Sequence, residues 1–470
     1  MQPTRSHPAA LEVPDDLEIP IEDVPELDPR ETIRRGAALV SEKVGLTKAI
    51  GHGIYRAQDP ATFAVGIISS DLSRFSAIRN SGKAGGGGES LEVALAATLG
   101  EAVERYCMLF YDQRRTVFGT YRELEPYAVH PDELRLHSRE QVERWQARNP
   151  QTRYAYFDED TPISWAWGWS LTEREPRLVP ATLVFLEPSY REGEKAIGVN
   201  ASSGLAAGLS REQAILSGLY EVVERDAFTI SWLHRRVGRR IVIDDPELRR
   251  RLAKDFHADR PEVDLQFYDI TLDIPIPSIL SVLRRPAEFG PSLCLSSVTR
   301  LSPRAAVNKA LREMGQSLPY LRYLRQHLKG WEPDERHRDL TSFDHHFLLY
   351  SKRPELAEAA LAHLGEVDAE VALSAITDRS TGTLGGDVAT CVELLRQAGR
   401  EVIVSDITTA DVLEVGFRVV RVVIPGLVPL HGDHNVQFLG VRRLYDLPRQ
   451  LGWVEPGSEI VLNRMPHPFP

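Results

Sequence analysis

The spacing of apolar and polar positions changes period several times along the chain. Alternating or β-branched runs at 64–69, 198–201 and 419–424 predict strands. Between them, apolar residues recur at helical spacing. Leu95, Leu99 and Ala102 form one stripe, and Ile215, Leu219 and Val222 form another. No low-complexity linker interrupts this mixture, which predicts a single large α/β (α+β) domain over residues 36–470, with helices packed on mixed sheets. Residues 1–35 differ. Pro3, Pro8, Pro14, Pro20, Pro25 and Pro29 recur among Asp15, Asp16, Glu22 and Asp23. Proline withholds backbone donors and the charge opposes collapse, so this segment reads as an acidic, solvated tail.

The helical stretches carry an internal repeat. Gly88, Ser90, Glu92, Ala94, Leu99, Glu101, Val103, Glu104 and Arg105 recur 120 positions later as Gly208, Ser210, Glu212, Ala214, Leu219, Glu221, Val223, Glu224 and Arg225. A third, reduced copy places Ala306, Leu311, Glu313 and Gln316 in the register of Ala94, Leu99, Glu101 and Glu104. Each copy opens like a helix. Ser90 and Ser210 are N-cap residues by type, Gln213 completes a capping-box pattern with Ser210, and Ser302 precedes Pro303.

Helical spacing puts Glu101 and Glu104 on one face. Gln213, Ser217, Glu221 and Glu224 share a face of the second helix, and Lys309, Glu313 and Gln316 share one of the third. Acidic faces are usually just wet, but a wet face has no reason to recur in register. If the three faces converge, each close carboxylate pair costs roughly 3 kcal/mol at 5 Å in an effective dielectric of 20. Several together require cations or raised pKa values. Magnesium suits an all-oxygen carboxylate site and commonly shares it with phosphates. Arg105 and Arg225 are then placed to meet phosphate oxygens. The glycine run 85–88 invites a phosphate-loop reading, but no Gly-x-x-x-x-Gly-Lys-Ser/Thr pattern surrounds Lys83. It reads as a flexible loop, with a backbone anion site at the helix start as the alternative.

Composition narrows the class. Hydrophobic residues are 42% and charged residues 26%, the balance of an ordinary globular protein. A net charge of -11 argues against nucleic-acid partners. No apolar run reaches the ~20 residues of a membrane span, and the polar N-terminus is unlike a signal segment, which predicts a cytoplasmic protein. Cys107, Cys294 and Cys391 are too scattered for a disulfide framework, and Cys107 reads as a buried thiol. His431, Asp433 and His434 leave three readings open: a structural turn, a position beside a peptide, or a transition-metal site. The terminal run Met465-Pro466-His467-Pro468-Phe469-Pro470 is a stiff, extended strap. Polar His467 and donor-poor prolines are expected to add little to a core.

Several of these segments resemble the YcaO family. Ser202-Ser203-Gly204-Leu205-Ala206-Ala207-Gly208 followed by Glu221-Val222-Val223-Glu224-Arg225-Asp226-Ala227 is similar to its central signature. Glu101 through Tyr106 and Ala306 through Gln316 are similar to its other two acidic helices. Ser203 stands where Asn is usual, and Gln213 where relatives can carry Glu. The resemblance implies ATP and Mg2+ as cofactors, with Glu101, Glu104, Glu221, Glu224 and Glu313 as magnesium-binding carboxylates. It implies Arg105, Gln213, Arg225, Lys309 and Gln316 as nucleotide contacts or their orienters. The proline-rich ending, with Pro466, Pro468 and Pro470, is similar to the branch that forms azolines in ribosomal peptides. So are the runs 344–350 and 424–431.

That branch implies an ATP-dependent cyclodehydratase. A Cys, Ser or Thr side chain of a precursor peptide attacks the preceding amide. The amide oxygen takes the γ-phosphoryl group, and loss of phosphate leaves a thiazoline or oxazoline. The Pro470 carboxylate or a nearby histidine is the expected general base. The implied partners are the precursor peptide and a separate ThiF-like protein that binds its leader. A flavin dehydrogenase acting on the rings and a homodimer are compatible with the branch. The alternatives are a thioamide- or amidine-forming enzyme of the family, disfavoured by the proline ending, and a non-catalytic nucleotide-binding scaffold.

Overall fold

Three sheets organise the described part of the chain in this computed structural model, which covers residues 11–71, 73, 84–111, 113–186, 190–198, 202–286 and 293–469. The first sheet joins β1 (Thr47–His52), β2 (Phe63–Ser69) and β3 (Gly85–Gly88). The second runs β4 (Thr116–Gly119), β5 (Ile163–Ser170), β13 (Ile403–Asp406), β14 (Arg418–Val423), β7 (Leu205–Gly208), with β6 (Pro176–Pro180) also on β5. The third runs β11 (Leu293–Thr299), β10 (Ser278–Arg284), β9 (Asp264–Asp269), β8 (Arg240–Val242), β12 (Glu370–Ala372). Among the described strand pairs, β8 with β12 is parallel and the others are antiparallel. The runs at 64–69 and 419–424 are strands as expected. Gly198 is in no strand, and 199–201 lie outside the described residues.

Each repeat copy is a strand followed by a long helix. β3 leads to α1 (Leu91–Cys107), β7 to α2 (Arg211–His234) and β11 to α3 (Pro303–His327). The Ser90 and Ser210 side chains accept from Val93 N and Gln213 N, as N-caps do. Gln213 does not close the box on Ser210; its Oε1 accepts from Leu209 N at 2.7 Å. Ser302 makes no side-chain cap, because its Oγ donates to Asp378 at 2.6 Å instead. Helix α2 is central. It packs on β7 and β14 of one sheet and on β11 of another, with Ile215, Leu219, Val223 and Ile230 buried.

Two expectations change. The glycine run is no loop: it is strand β3, wedged between α1 and α3. A Cβ on Gly86 would stand 2.6 Å from Ala94 O, and one on Gly87 2.6 Å from Arg312 O. Bare glycine lets both helix backbones approach the strand. The described part of the N-terminal segment is largely exposed but docked at a few apolar points. Ile19 is buried, Ile21 and Val24 pack on the same cluster as Leu384 and Val388, and Leu384 N donates to Val24 O at 2.8 Å. Three apolar residues among the prolines suffice to dock an extended chain.

Candidate functional site

The three acidic helices converge where the sheets meet. On α1, Glu101 Oε2 accepts Gly85 N at 2.8 Å and Glu101 Oε1 meets Arg105 Nη2 at 3.2 Å. On α2, Glu221 Oε2 accepts Gly204 N at 3.2 Å and Glu221 Oε1 meets Arg225 Nη2 at 3.5 Å. The repeat is largely one of geometry: Glu101 and Glu221 each take a backbone amide at or just before the start of the preceding strand, whereas Glu313 of α3 takes a serine hydroxyl. The second glutamates differ. Glu224 is buried, accepts Thr299 N from β11 at 3.1 Å, and faces Glu313. Glu313 accepts Ser296 Oγ at 2.6 Å and pairs with Lys309. Gln316, one turn on, lies against β3, its Cβ 2.9 Å from where a Cβ on Gly87 would stand. Gln213 stands apart, about 12 Å along the helix from Glu221 at 1.5 Å per residue.

The electrostatics show mutual repulsion. Burial, reinforced by Glu221 and Glu101, pushes the Glu104 carboxyl well above the usual range, against the pull of Arg105 and Arg421. Burial and Glu313 push Glu224 up to about 7, against Arg225. Burial alone would raise Glu313, but Lys309 and Ser296 hold it below its ordinary value. Sequence reasoning missed Arg421. It is buried on β14, faces Glu221 and Glu104, and burial lowers its pKa to about 10. Its signal was present: one arginine inside an apolar, β-branched run. Hard carboxylate oxygens from three helices, ringed by Arg105, Arg225, Lys309 and Arg421, fit a magnesium-bound polyphosphate.

The terminal strap is buried, which reverses the expectation that it adds little to a core. It runs antiparallel along α2. Asn463 N donates to Leu233 O at 2.7 Å, Trp232 Nε1 to Met465 O at 3.0 Å, and Tyr350 OH to Pro466 O. Phe469 packs on Phe228 with ring centroids 4.9 Å apart, and the Arg225 guanidinium lies 4.2 Å from the Phe469 ring centre. Pro466 and Pro468 are buried within this path. Pro470 lies outside the described residues. The runs 344–350 and 424–431 meet here. His346 Nδ1 donates to His467 O at 3.0 Å, and His467 Nε2 to His431 O at 2.8 Å. Next to this junction, Arg443 bridges Asp226 at 2.9 Å and Asp273 at 2.8 Å, while Asp226 also accepts Val428 N at 2.9 Å.

His346, His431 and His467 are close enough together to suggest a metal. Their arrangement argues against one. The His346 and His467 rings stack at 4.0 Å and 12°, so their nitrogens lie in near-parallel planes and cannot both point straight at one ion between them. Both His467 nitrogens are engaged, Nδ1 by Phe469 N at 3.3 Å. Burial first, then mutual repulsion, keeps His346 and His431 neutral; burial, with His431 opposing a second charge, does the same for His467. The cluster is a hydrogen-bonded clasp. Asp433 is outside it, capping the turn at Asn435 N at 2.8 Å. Cys107 is buried as expected, its thiol pushed up to about 11 by burial.

This fold has known counterparts. Residues 85–428 match the family model described as YcaO cyclodehydratase, ATP- and Mg2+-binding, and the chain belongs to the YcaO family. ATP and Mg2+ are its cofactors. An uncharacterized protein of Methanothermobacter thermautotrophicus is 29% identical over 367 residues, covering 75% of this chain and 85% of its own. A heterocyclase solved in complex with substrate and cofactor is similar with a TM-score of 0.74 at 27% identity, over 96% of this chain. This chain spans 59% of that heterocyclase. The YcaO of Methanopyrus kandleri bound with AMPPCP and Mg2+ shares the fold, with a TM-score of 0.60 at 22% identity over 88% of this chain and 94% of that one. No helix among the described residues is long and apolar enough to cross a membrane.

Proposed function

We propose that this chain is an ATP-dependent cyclodehydratase that converts Cys, Ser or Thr residues of a ribosomal precursor peptide into thiazolines or oxazolines. The observation that carries the reading is α2. One helix presents Glu221, Glu224 and Arg225 to the carboxylate cage and Phe228 and Trp232 to the strap. In this reading Glu101, Glu104, Glu221, Glu224 and Glu313 hold magnesium. Arg105, Arg225 and Lys309 hold phosphate oxygens, and Gln316 orients them from beside β3. Gln213 contributes only through its amide nitrogen, since its oxygen is taken by Leu209. Bound Mg·ATP supplies the phosphoryl group that makes an amide oxygen a leaving group. The residues themselves act by position and charge neutralisation. Pro466, Pro468 and Pro470 border the reacting peptide, with the Pro470 carboxylate as general base, and residues 36–470 act as one unit.

The heterocyclase relative is longer than the matched region. In this reading a separate ThiF-like protein binds the leader and a flavin dehydrogenase oxidises the rings. Reconstitution with precursor, ATP, Mg2+ and that partner tests the reading by mass spectrometry. Loss of one water per ring, dependent on the partner, is expected. Oxygen-for-sulfur exchange would identify thioamide chemistry instead. Nucleotide binding with no peptide change under any of these conditions would identify a scaffold.

A further inference from the structure

The Arg225 guanidinium has an unusual set of neighbours for a cage residue. Its ion-pair distances are long, 3.5 Å to Glu221 and 3.9 Å to Glu224. Its counterpart in the repeat, Arg105, sits closer to Glu101 at 3.2 Å. What lies directly against Arg225 is the face of Phe469, 4.2 Å from ring centre to guanidinium carbon. A delocalised, planar cation stacks well on such a face, and the attraction grows when water is excluded. Phe469 is 4% exposed. It is pinned on one side by Phe228 and through its own amide by His467, which is in turn held by His346 and His431. The ring is thus fixed by the strap, and the arginine rests on its face.

We propose that Phe469 is a positioning residue of the nucleotide site, its ring face holding Arg225 between Glu221 and Glu224 so that closure of the C-terminal strap and nucleotide binding favour one another. This rests on the reading of the cage as the Mg·ATP site. Coupling of this kind is reciprocal: whatever the strap adds to nucleotide affinity, the nucleotide adds to strap closure. A strap that is displaced leaves Arg225 free to collapse onto either glutamate, and a phosphate then meets a disordered cation.

Calorimetry with Mg·AMPPNP on the full chain tests this. Phe469→Leu keeps apolar bulk and removes the π face; affinity is expected to fall on the order of tenfold. Phe469→Tyr keeps the face and is expected to bind like wild type. In an Arg225→Met background, Phe469→Leu is expected to cause little further loss, because the cation that the ring holds is gone. Phe469→Met serves if the Leu variant folds poorly. Wild-type affinity in the Leu or Met variant at 469, or fully additive losses with Arg225→Met, would overturn the proposal while leaving the cage reading intact. Failure of the wild type itself to bind Mg·AMPPNP would overturn the cage reading, and this proposal with it.

Discussion

Replacing Glu224 by Gln should stabilise the ligand-free protein and abolish its response to nucleotide. Glu224 is buried, and its carboxyl is pushed up to about 7 by burial and by Glu313. The fold therefore keeps a proton that the unfolded chain sheds near 4.5. Stability falls as pH rises from about 4.5 to about 7, and the full cost remains above that. At 1.36 kcal/mol per unit the cost at pH 8 is about 3 kcal/mol. Gln cannot ionise, yet its oxygen can still accept the Thr299 amide. With roughly 2.1 cal/mol/K of unfolding entropy per residue, Glu224→Gln should raise the ligand-free Tm by about 3 °C at pH 8. The gain should vanish near pH 5. Mg·AMPPNP at a hundredfold excess over Kd should then add about 2.7 kcal/mol to the wild type and little to the variant, reversing their order. Differential scanning calorimetry at both pH values checks this. A variant less stable than wild type by the same amount at pH 8 and pH 5 would refute the repulsion, and an undiminished nucleotide response would refute the metal-ligand role.

Four further outcomes are expected. Glu221→Ala should abolish Mg2+-dependent nucleotide binding by calorimetry while leaving the circular dichroism spectrum intact, since Glu221 faces the cage at the surface of α2. Gly87→Ala should lower stability by several kcal/mol in denaturant titration, because its Cβ would meet Arg312 O at 2.6 Å and Gln316 at 2.9 Å. Deleting residues 466–470 should lower the Tm as well as the turnover, since a buried Phe alone contributes roughly 1.5–3 kcal/mol. His467→Gln should be less stable than wild type at pH 7.5, and the gap should shrink toward pH 5. The neutral His467 ring contributes stability that is lost as pH falls below its ordinary value of 6.5, whereas Gln does not titrate.

The cage was legible in the sequence because repetition in register carries long-range information. Glu101 and Glu221 each take a backbone amide near the start of the preceding strand, and no single-helix pattern could have said so. The glycine run misled, because a run of four glycines reads locally as a loop, and only the backbones of α1 and α3 on either side explain it as strand. The strap misled for a similar reason. Its prolines suggested an exposed end, but its partners Trp232, His346, Tyr350 and His431 lie far off in the chain. Arg421 was visible as a charge in an apolar strand, yet its role appears only beside Glu104 and Glu221. The docking of Ile19 and Val24 onto Leu384 depends on the same kind of distant contact.

The helices that carry the cage glutamates tie the three sheets together, α1 packing on β3 and β7, α2 on β7, β14 and β11, and α3 on β11 and β3. Without ligand, like charges push the three helices apart at their common meeting point. If the carboxylates hold magnesium and phosphate as proposed, they become a cross-brace on that frame. Amide hydrogen exchange should therefore slow far from the cage when nucleotide binds, in strands that touch no ligand atom, because the braced helices span all three sheets.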